Sequence, residues 1–407
     1  MAVTGLGLAL IAVLTLRPNP QGILEAAATP FTCMPCGEFG GVDMILNVIL
    51  FVPLGIGLGL RGVSRYRALL VIAVTTITVE SLQAWWIPGR DASVSDLVTN
   101  TVGGALGIWL AAGWRGLIFP VARASRFLAI GVLGAWLLLW CASAVLLQPE
   151  PPAPSWYAQL APVGVTRADY PGKFISADLN GRELPDGLIE NPDGLLQGGA
   201  TDTATVVVRA APAGPTPEAA SIFSIFSGRQ EEALMVAQIG RDLLLRSRRR
   251  ANDFLLHSPG VKLADAAGIA GDTLQFRGVM GRGLLSIRAE RGGRTDSTTM
   301  HITPSLGWSL ISPVNIGFPG LTTPLGWIWI AGLLFPVGYW GRRADLLAAG
   351  GQIFWWTAVA TAVVFGLWAI PALAAIALPG AGDVVAAAAG LALGAGAARA
   401  SIRKDQG

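Results

Sequence analysis

Apolar residues run along this chain in long blocks, except across one central region where they alternate with polar ones. A membrane-spanning helix needs about 20 mainly apolar residues. Eight blocks approach that length, at 1–16, 44–60, 68–87, 97–113, 127–147, 322–340, 352–377 and 384–400. After the fifth block the rhythm changes. A Pro-rich stretch, 148–170, reads as a linker. Short alternating or β-rich runs follow at 173–179, 203–210, 221–227, 234–239, 242–248, 273–279, 284–290 and 298–304, separated by Gly, Pro, Asn and Asp. The pattern predicts a multi-span α-helical membrane protein of about eight transmembrane helices with an inserted antiparallel β-sandwich. The expected parts are a five-helix membrane domain over 1–147, the sandwich over 171–315, three helices over 322–400 and a tail at 401–407.

Composition agrees with this division. Of 407 residues, 52% are apolar and only 14% charged, against roughly 25% charged in a soluble domain. That excludes a single soluble globular enzyme, and with a net charge of +3 it excludes a disordered chain. Residues 150–321 hold 16 of the 29 Lys/Arg and 17 of the 26 Asp/Glu. This near-neutral insert gives no support for a nucleic-acid partner.

The basic residues flanking the spans set an orientation. With the N-terminus inside, the cytoplasmic loops carry Arg61, Arg65, Arg67, Arg115, Arg123, Arg126, Arg342 and Arg343, and the C-terminal end adds Arg399, Arg403 and Lys404. The short outer loops carry only Arg17 and Arg90. The positive-inside rule then puts both termini in the cytoplasm and residues 150–321 outside. The first block lacks the basic leader of a signal peptide and reads as a span.

Polar residues within the blocks mark the candidate chemistry. Glu80 and Gln83 lie three apart near the outer end of the third block and share a helix face with Thr76. Asp96, Asn100, Gly103 and Gly107 fall on one stripe of the fourth. Asn47 lies near the outer end of the second, and Arg90 and Asp91 sit in the loop between the third and fourth. All map to the outer leaflet. Ionisable groups in a span are costly and usually face a bundle interior or a wet cavity. Asn47, Glu80, Gln83, Arg90, Asp96 and Asn100 therefore form a candidate polar site, although each alone also suits interhelical bonding. Gly103 and Gly107 suit close helix packing. Asp96–Gly107 can be laid over Asp383–Gly394 with six of twelve positions identical, which suggests a duplicated helix whose second copy has Ala387 in place of Asn100.

The run Asn47-xxx-Phe51-x-Pro53-Leu54-Gly55, followed by Glu80-xx-Gln83, Arg90, Asp96, Asn100, Gly103 and Gly107, resembles the VanZ-like family over about residues 40–113. That family is named from a glycopeptide (teicoplanin) resistance factor. The resemblance implies a multi-span protein of the cell envelope and no particular reaction. In the insert, Ser221–Gly228 followed by Leu234–Arg246 resembles concanavalin A-like (laminin G-like) lectin/glucanase domains, and this implies carbohydrate binding. The paired-carboxylate strand motif of some glucanases is absent, and Glu231 and Glu232 are adjacent, so glycoside hydrolysis is not expected.

Cys33 and Cys36 form a CxxC in the first outer loop, where an oxidising compartment suits a disulfide. Arg246, Arg248, Arg249 and Arg250 would either contact an anionic polymer or protect a strand edge by charge. His257 and His301 are the only histidines and suggest no metal site, and no cofactor motif is visible. The expected function is an envelope protein that presents a lectin-like domain to a surface glycan or a lipid-linked precursor, with membrane lipid around it. The alternatives are a membrane enzyme or transporter working through Glu80, Asp96 and Arg90, the last meeting a phosphate, and a scaffold of a polysaccharide export system.

Overall fold

All eight apolar blocks are helical in the computed structural model, which describes residues 2–18, 31–35, 37–90, 92–150, 155–161, 169–190, 203–229, 231–268, 272–347 and 352–405. The helices are α1 (Ala2–Thr15), α2 (Gly40–Leu60), α3 (Arg65–Trp86), α4 (Val94–Ile118), α5 (Ala122–Leu146), α6 (Thr322–Leu347), α7 (Gln352–Val364) and α8 (Ala381–Asp405). A π-helical stretch, Phe365–Ala369, extends α7 into Ile370–Leu373. Six of the eight are long and apolar enough to cross a membrane, so the chain is an integral membrane protein. The other two fall short for different reasons. Helix α1 has only 14 residues. Helix α4 has 25 residues, but Thr99, Asn100, Thr101 and its glycines dilute its apolar character.

The chain divides into two compact units, residues 1–121 with 254–256, and residues 122–253 with 257–407. Helix α5, expected with the N-terminal helices, belongs to the second unit. There Leu133, Trp136, Trp140 and Ala144 of α5 share one core with Ile330, Leu334 and Val337 of α6.

Among the described residues the insert forms twelve strands. They are β1 (Trp156–Leu160), β2 (Lys173–Leu179), β3 (Arg182–Glu183), β4 (Gly187–Leu188), β5 (Thr203–Ala211), β6 (Thr216–Ser227), β7 (Glu232–Gly240), β8 (Asp242–Ser247), β9 (Gly260–Leu263), β10 (Leu274–Gly281), β11 (Leu284–Arg291) and β12 (Arg294–His301). All pair antiparallel in two six-stranded sheets, ordered β4-β1-β6-β7-β8-β9 and β12-β11-β10-β5-β2-β3. The eight expected strands are all present. Gly292 and Gly293 both take positive φ in the two-residue β11–β12 turn, which L side chains adopt poorly. Gly278 of β10 has no side chain, and Leu245 of β8 lies against it from the other sheet. Val206, Val208, Phe276 and Ile287 on one sheet and Phe223, Ile225, Val236 and Leu245 on the other are all buried.

The two helical sets share a construction. In the first unit, a Cβ added at Gly103 or Gly107 of α4 would strike the carbonyl oxygens of Val48 and Val52 on α2, and one at Gly55 of α2 would strike that of Gly104. In the second unit, Gly390 and Gly394 of α8 face the Ala331 and Phe335 carbonyls of α6, and Gly338 of α6 faces that of Leu391. The register is the same throughout. Residue numbers differ by 283 between α2 and α6 and by 287 between α4 and α8, and Pro53 falls on Pro336. A shift of 287 also carries the buried positions Ile72, Thr76, Val79, Glu80 and Gln83 of α3 onto Val359, Val363, Gly366, Leu367 and Ile370, all buried. The repeat read from one helix pair thus extends over three helices.

Candidate functional site

Helices α1 to α4 enclose a cavity of about 440 Å³. It lies at the C-terminal ends of α1 and α3 and the N-terminal ends of α2 and α4. All six polar residues expected to form a site line it: Asn47, Glu80, Gln83, Arg90, Asp96 and Asn100. Their convergence depends on the glycines. Close contact of α4 with the Val48 carbonyl brings Asn47 within 2.6 Å of Asp96, its amide Nδ2 donating to Oδ1. Ser93 precedes α4 and caps it, its hydroxyl accepting from the Asp96 N–H at 3.1 Å. The Ser93 N–H in turn donates to Glu80 Oε2 at 3.1 Å, tying the α3 end to the α4 start.

The amide nitrogens of Asn47 and Gln83 and two nitrogens of Arg90 donate within the protein. Gln83 Nε2 donates to the Thr15 carbonyl at 3.0 Å. Arg90 donates from Nε to the Arg17 carbonyl and from Nη2 to the Leu14 carbonyl, each at 3.3 Å. The buried acceptors differ. Asn100 is 2% exposed, and its Oδ1 has no hydrogen-bond partner. Gln83 Oε1 is also buried without one. At the rim, Leu14, Leu46 and Ile49 are exposed apolar residues. The lining therefore combines buried polar groups with exposed apolar side chains.

Asp43 also lines the cavity and was not foreseen. It lies one turn before Asn47, a spacing the sequence displays, but its place at the start of an apolar block made it look like a flanking charge. Ser93, Ser95 and Thr15 were missed as well. Thr15 contributes a backbone carbonyl to Gln83, which side-chain pattern does not reveal. Cys33 is disulfide-bonded; Cys36 and Asp91 lie outside the described residues.

The second unit fills the equivalent positions with apolar side chains. Ile330, Leu367, Ile370 and Ala387 stand where Asn47, Glu80, Gln83 and Asn100 stand, and all four belong to its core. Only the aspartate is kept. Gly380, the counterpart of Ser93, donates its N–H to Asp383 Oδ2 at 3.0 Å. Leucine at the Glu80 position cannot accept that bond, and the helix aspartate does so instead.

Arg246, Arg248, Arg249 and Arg250 make no open basic strip. Arg249 is wholly buried, and its Nη1 donates to the carbonyls of Leu147, Gly281 and Arg282 at 3.2 to 3.4 Å. Burial pulls its pKa down to about 10. Arg246 pairs with Glu232 at 3.0 Å. Arg248 pairs with Glu150 and also with Glu231 and Asp253, and Arg250 is partly buried. Arg249 thus joins the sheets to the end of α5. Among the described residues, no group of three His, Cys, Asp or Glu is placed to hold a metal ion.

No curated protein and no solved structure matches this chain. The helices that build the cavity do have a match, and it reaches further than the motif, taking in α1: residues 6–118 match the family model described as VanZ/LLP1.

Proposed function

We propose that this protein is a cell-envelope membrane protein that binds the polar head of a membrane amphiphile in the α1–α4 cavity. One observation carries the reading. The second unit builds the same helix packing with apolar residues at the site positions, so this architecture does not need Asn47, Glu80, Gln83 and Asn100 for packing. Buried polar groups that the matching packing of the second unit does without, lining a cavity edged by exposed apolar side chains, suit a ligand that is half lipid. The VanZ/LLP1 match supports an envelope setting. The flanking arginines favour an outward-facing cavity and insert, where the two-sheet domain would meet surface glycan.

The test uses the second unit as its template. A variant carrying Asn47→Ile, Glu80→Leu, Gln83→Ile and Asn100→Ala places in the first unit the residues the second already packs. Native mass spectrometry of full-length protein released from membranes would read the amphiphile carried by each form. Wild type should carry a polar-headed lipid, and the filled variant, folded by size exclusion and circular dichroism, should not. Equal lipid on both would sink the reading.

A further inference from the structure

The cavity's chemistry defines its ligand more narrowly, if the binding role above holds. Its lining holds three carboxylates, Asp43, Glu80 and Asp96, against one guanidinium, Arg90. Charge alone therefore favours a cation. Hydrogen bonding points the same way through independent groups. The orientation of Gln83 is set by its donation to the Thr15 carbonyl, which leaves Oε1 buried without a donor. Asn100 Oδ1 is buried without a donor in the cavity lining. The Asn47 amide already donates to Asp96. Arg90, the group suited to a phosphate, has Nε and Nη2 turned onto two backbone carbonyls. A buried acceptor left unmet costs about 1–3 kcal/mol, so two such acceptors in one cavity favour a ligand that brings N–H groups.

We propose that the cavity receives a primary ammonium group carried on an amphiphile. Its N–H bonds would go to Asn100 Oδ1 and Gln83 Oε1. The carboxylates would balance its charge, and its apolar chain would leave past Leu14, Leu46 and Ile49. A phosphate is disfavoured by the three carboxylates. A quaternary ammonium has the charge but no N–H to give.

The test is binding of four probes with the same twelve-carbon chain to full-length protein in phosphatidylcholine nanodiscs. They are dodecylamine, dodecyltrimethylammonium, dodecyl phosphate and dodecyl maltoside, with short-chain butylamine as a soluble control. Wild type should bind dodecylamine at least about tenfold more tightly than the trimethyl and phosphate forms. Asn100→Ala should erase most of that preference, and the filled variant all of it. Butylamine binding as tightly as dodecylamine would show a soluble amine to be the source and overturn the amphiphile. Equal binding of the trimethyl form would overturn the hydrogen-bonded ammonium. Preference for phosphate or maltoside, lost in the filled variant, would overturn the ammonium and leave the binding role standing. Binding of no probe would overturn both.

Discussion

The Asn47 amide donates to the Asp96 carboxylate at 2.6 Å, joining α2 to α4 at the outer rim of their closest approach. The approach is set one turn further in, where Gly103 admits the Val48 carbonyl and Gly107 the Val52 carbonyl. Packing and chemistry are thus two ends of one contact. A side chain at Gly103 would separate the helices and pull Asn47 from Asp96 together.

Gly103→Ala is therefore expected to destabilise by about 1–3 kcal/mol, as overpacking does, and to weaken ligand binding. Gly113, on the same helix, has open space where a Cβ would go, so Gly113→Ala should leave both unchanged. Thermal unfolding in detergent, with lipid retention measured alongside, separates the two. Equal behaviour of the pair would refute the close-packing account.

The convergence of the polar residues was legible in the sequence because charged and amide side chains are costly against lipid and gather inside a bundle. Asn47, Glu80, Gln83, Arg90, Asp96 and Asn100 all reach one cavity. Asp43 was illegible in practice, since at the end of an apolar block a site carboxylate and a solvent-facing one look alike. The eight longer strands were readable from alternation, whereas β1 is five residues inside a Pro-rich stretch and β9 only four. Partner order in the sheets was not readable at all, because it is set by long-range pairing such as β10 with β5. The anchoring role of Arg249 was hidden for a similar reason. Its acceptors are main-chain carbonyls, all three more than 30 residues away.

Arg249 is expected to be intolerant of substitution. Replacing it with Met would remove the donors to Leu147, Gly281 and Arg282 in a site with no water-facing surface. The cost should be about 1–3 kcal/mol, because the lost bonds are offset in part by removing a buried charge whose Nε and Nη2 have no acceptor. Arg249→Lys should recover only part, because an ammonium lacks the planar fork. Arg250→Met, at a partly exposed neighbour, is the control, and protease resistance of the insert is the readout.

Acid should loosen the insert through His257. Burial, with a smaller contribution from the Arg246 charge, lowers its pKa to about 4 from an ordinary 6.5. The unfolded chain therefore takes up a proton that the folded one refuses. Stability should fall as pH drops from about 6.5 towards 4, and be insensitive to this group above 6.5. His257→Gln should flatten that part of the profile. An unchanged acid limb in the variant would assign the loss to carboxylates instead.

The repeat predicts an asymmetry between equivalent positions. Asn47 and Ile330 occupy the same register on α2 and α6, one beside a cavity and the other within a packed core. Asn47→Ile adds an apolar side chain where space exists, while the Ser93 N–H keeps its bond to Glu80. Its stability cost should be under about 1 kcal/mol. Ile330→Asn removes apolar packing and buries an amide among Leu334, Leu367 and Ala387, where Asp383, the counterpart of Asp96, is the acceptor in register with it. That change should cost about 3 kcal/mol. The ligand effects should run the other way, with binding lost in Asn47→Ile and kept in whatever Ile330→Asn protein remains folded. Unfolding midpoints and lipid retention on the two single variants would show this crossing. If both positions behaved alike in both measurements, the two helical sets would not divide the work between a binding site and a packed core.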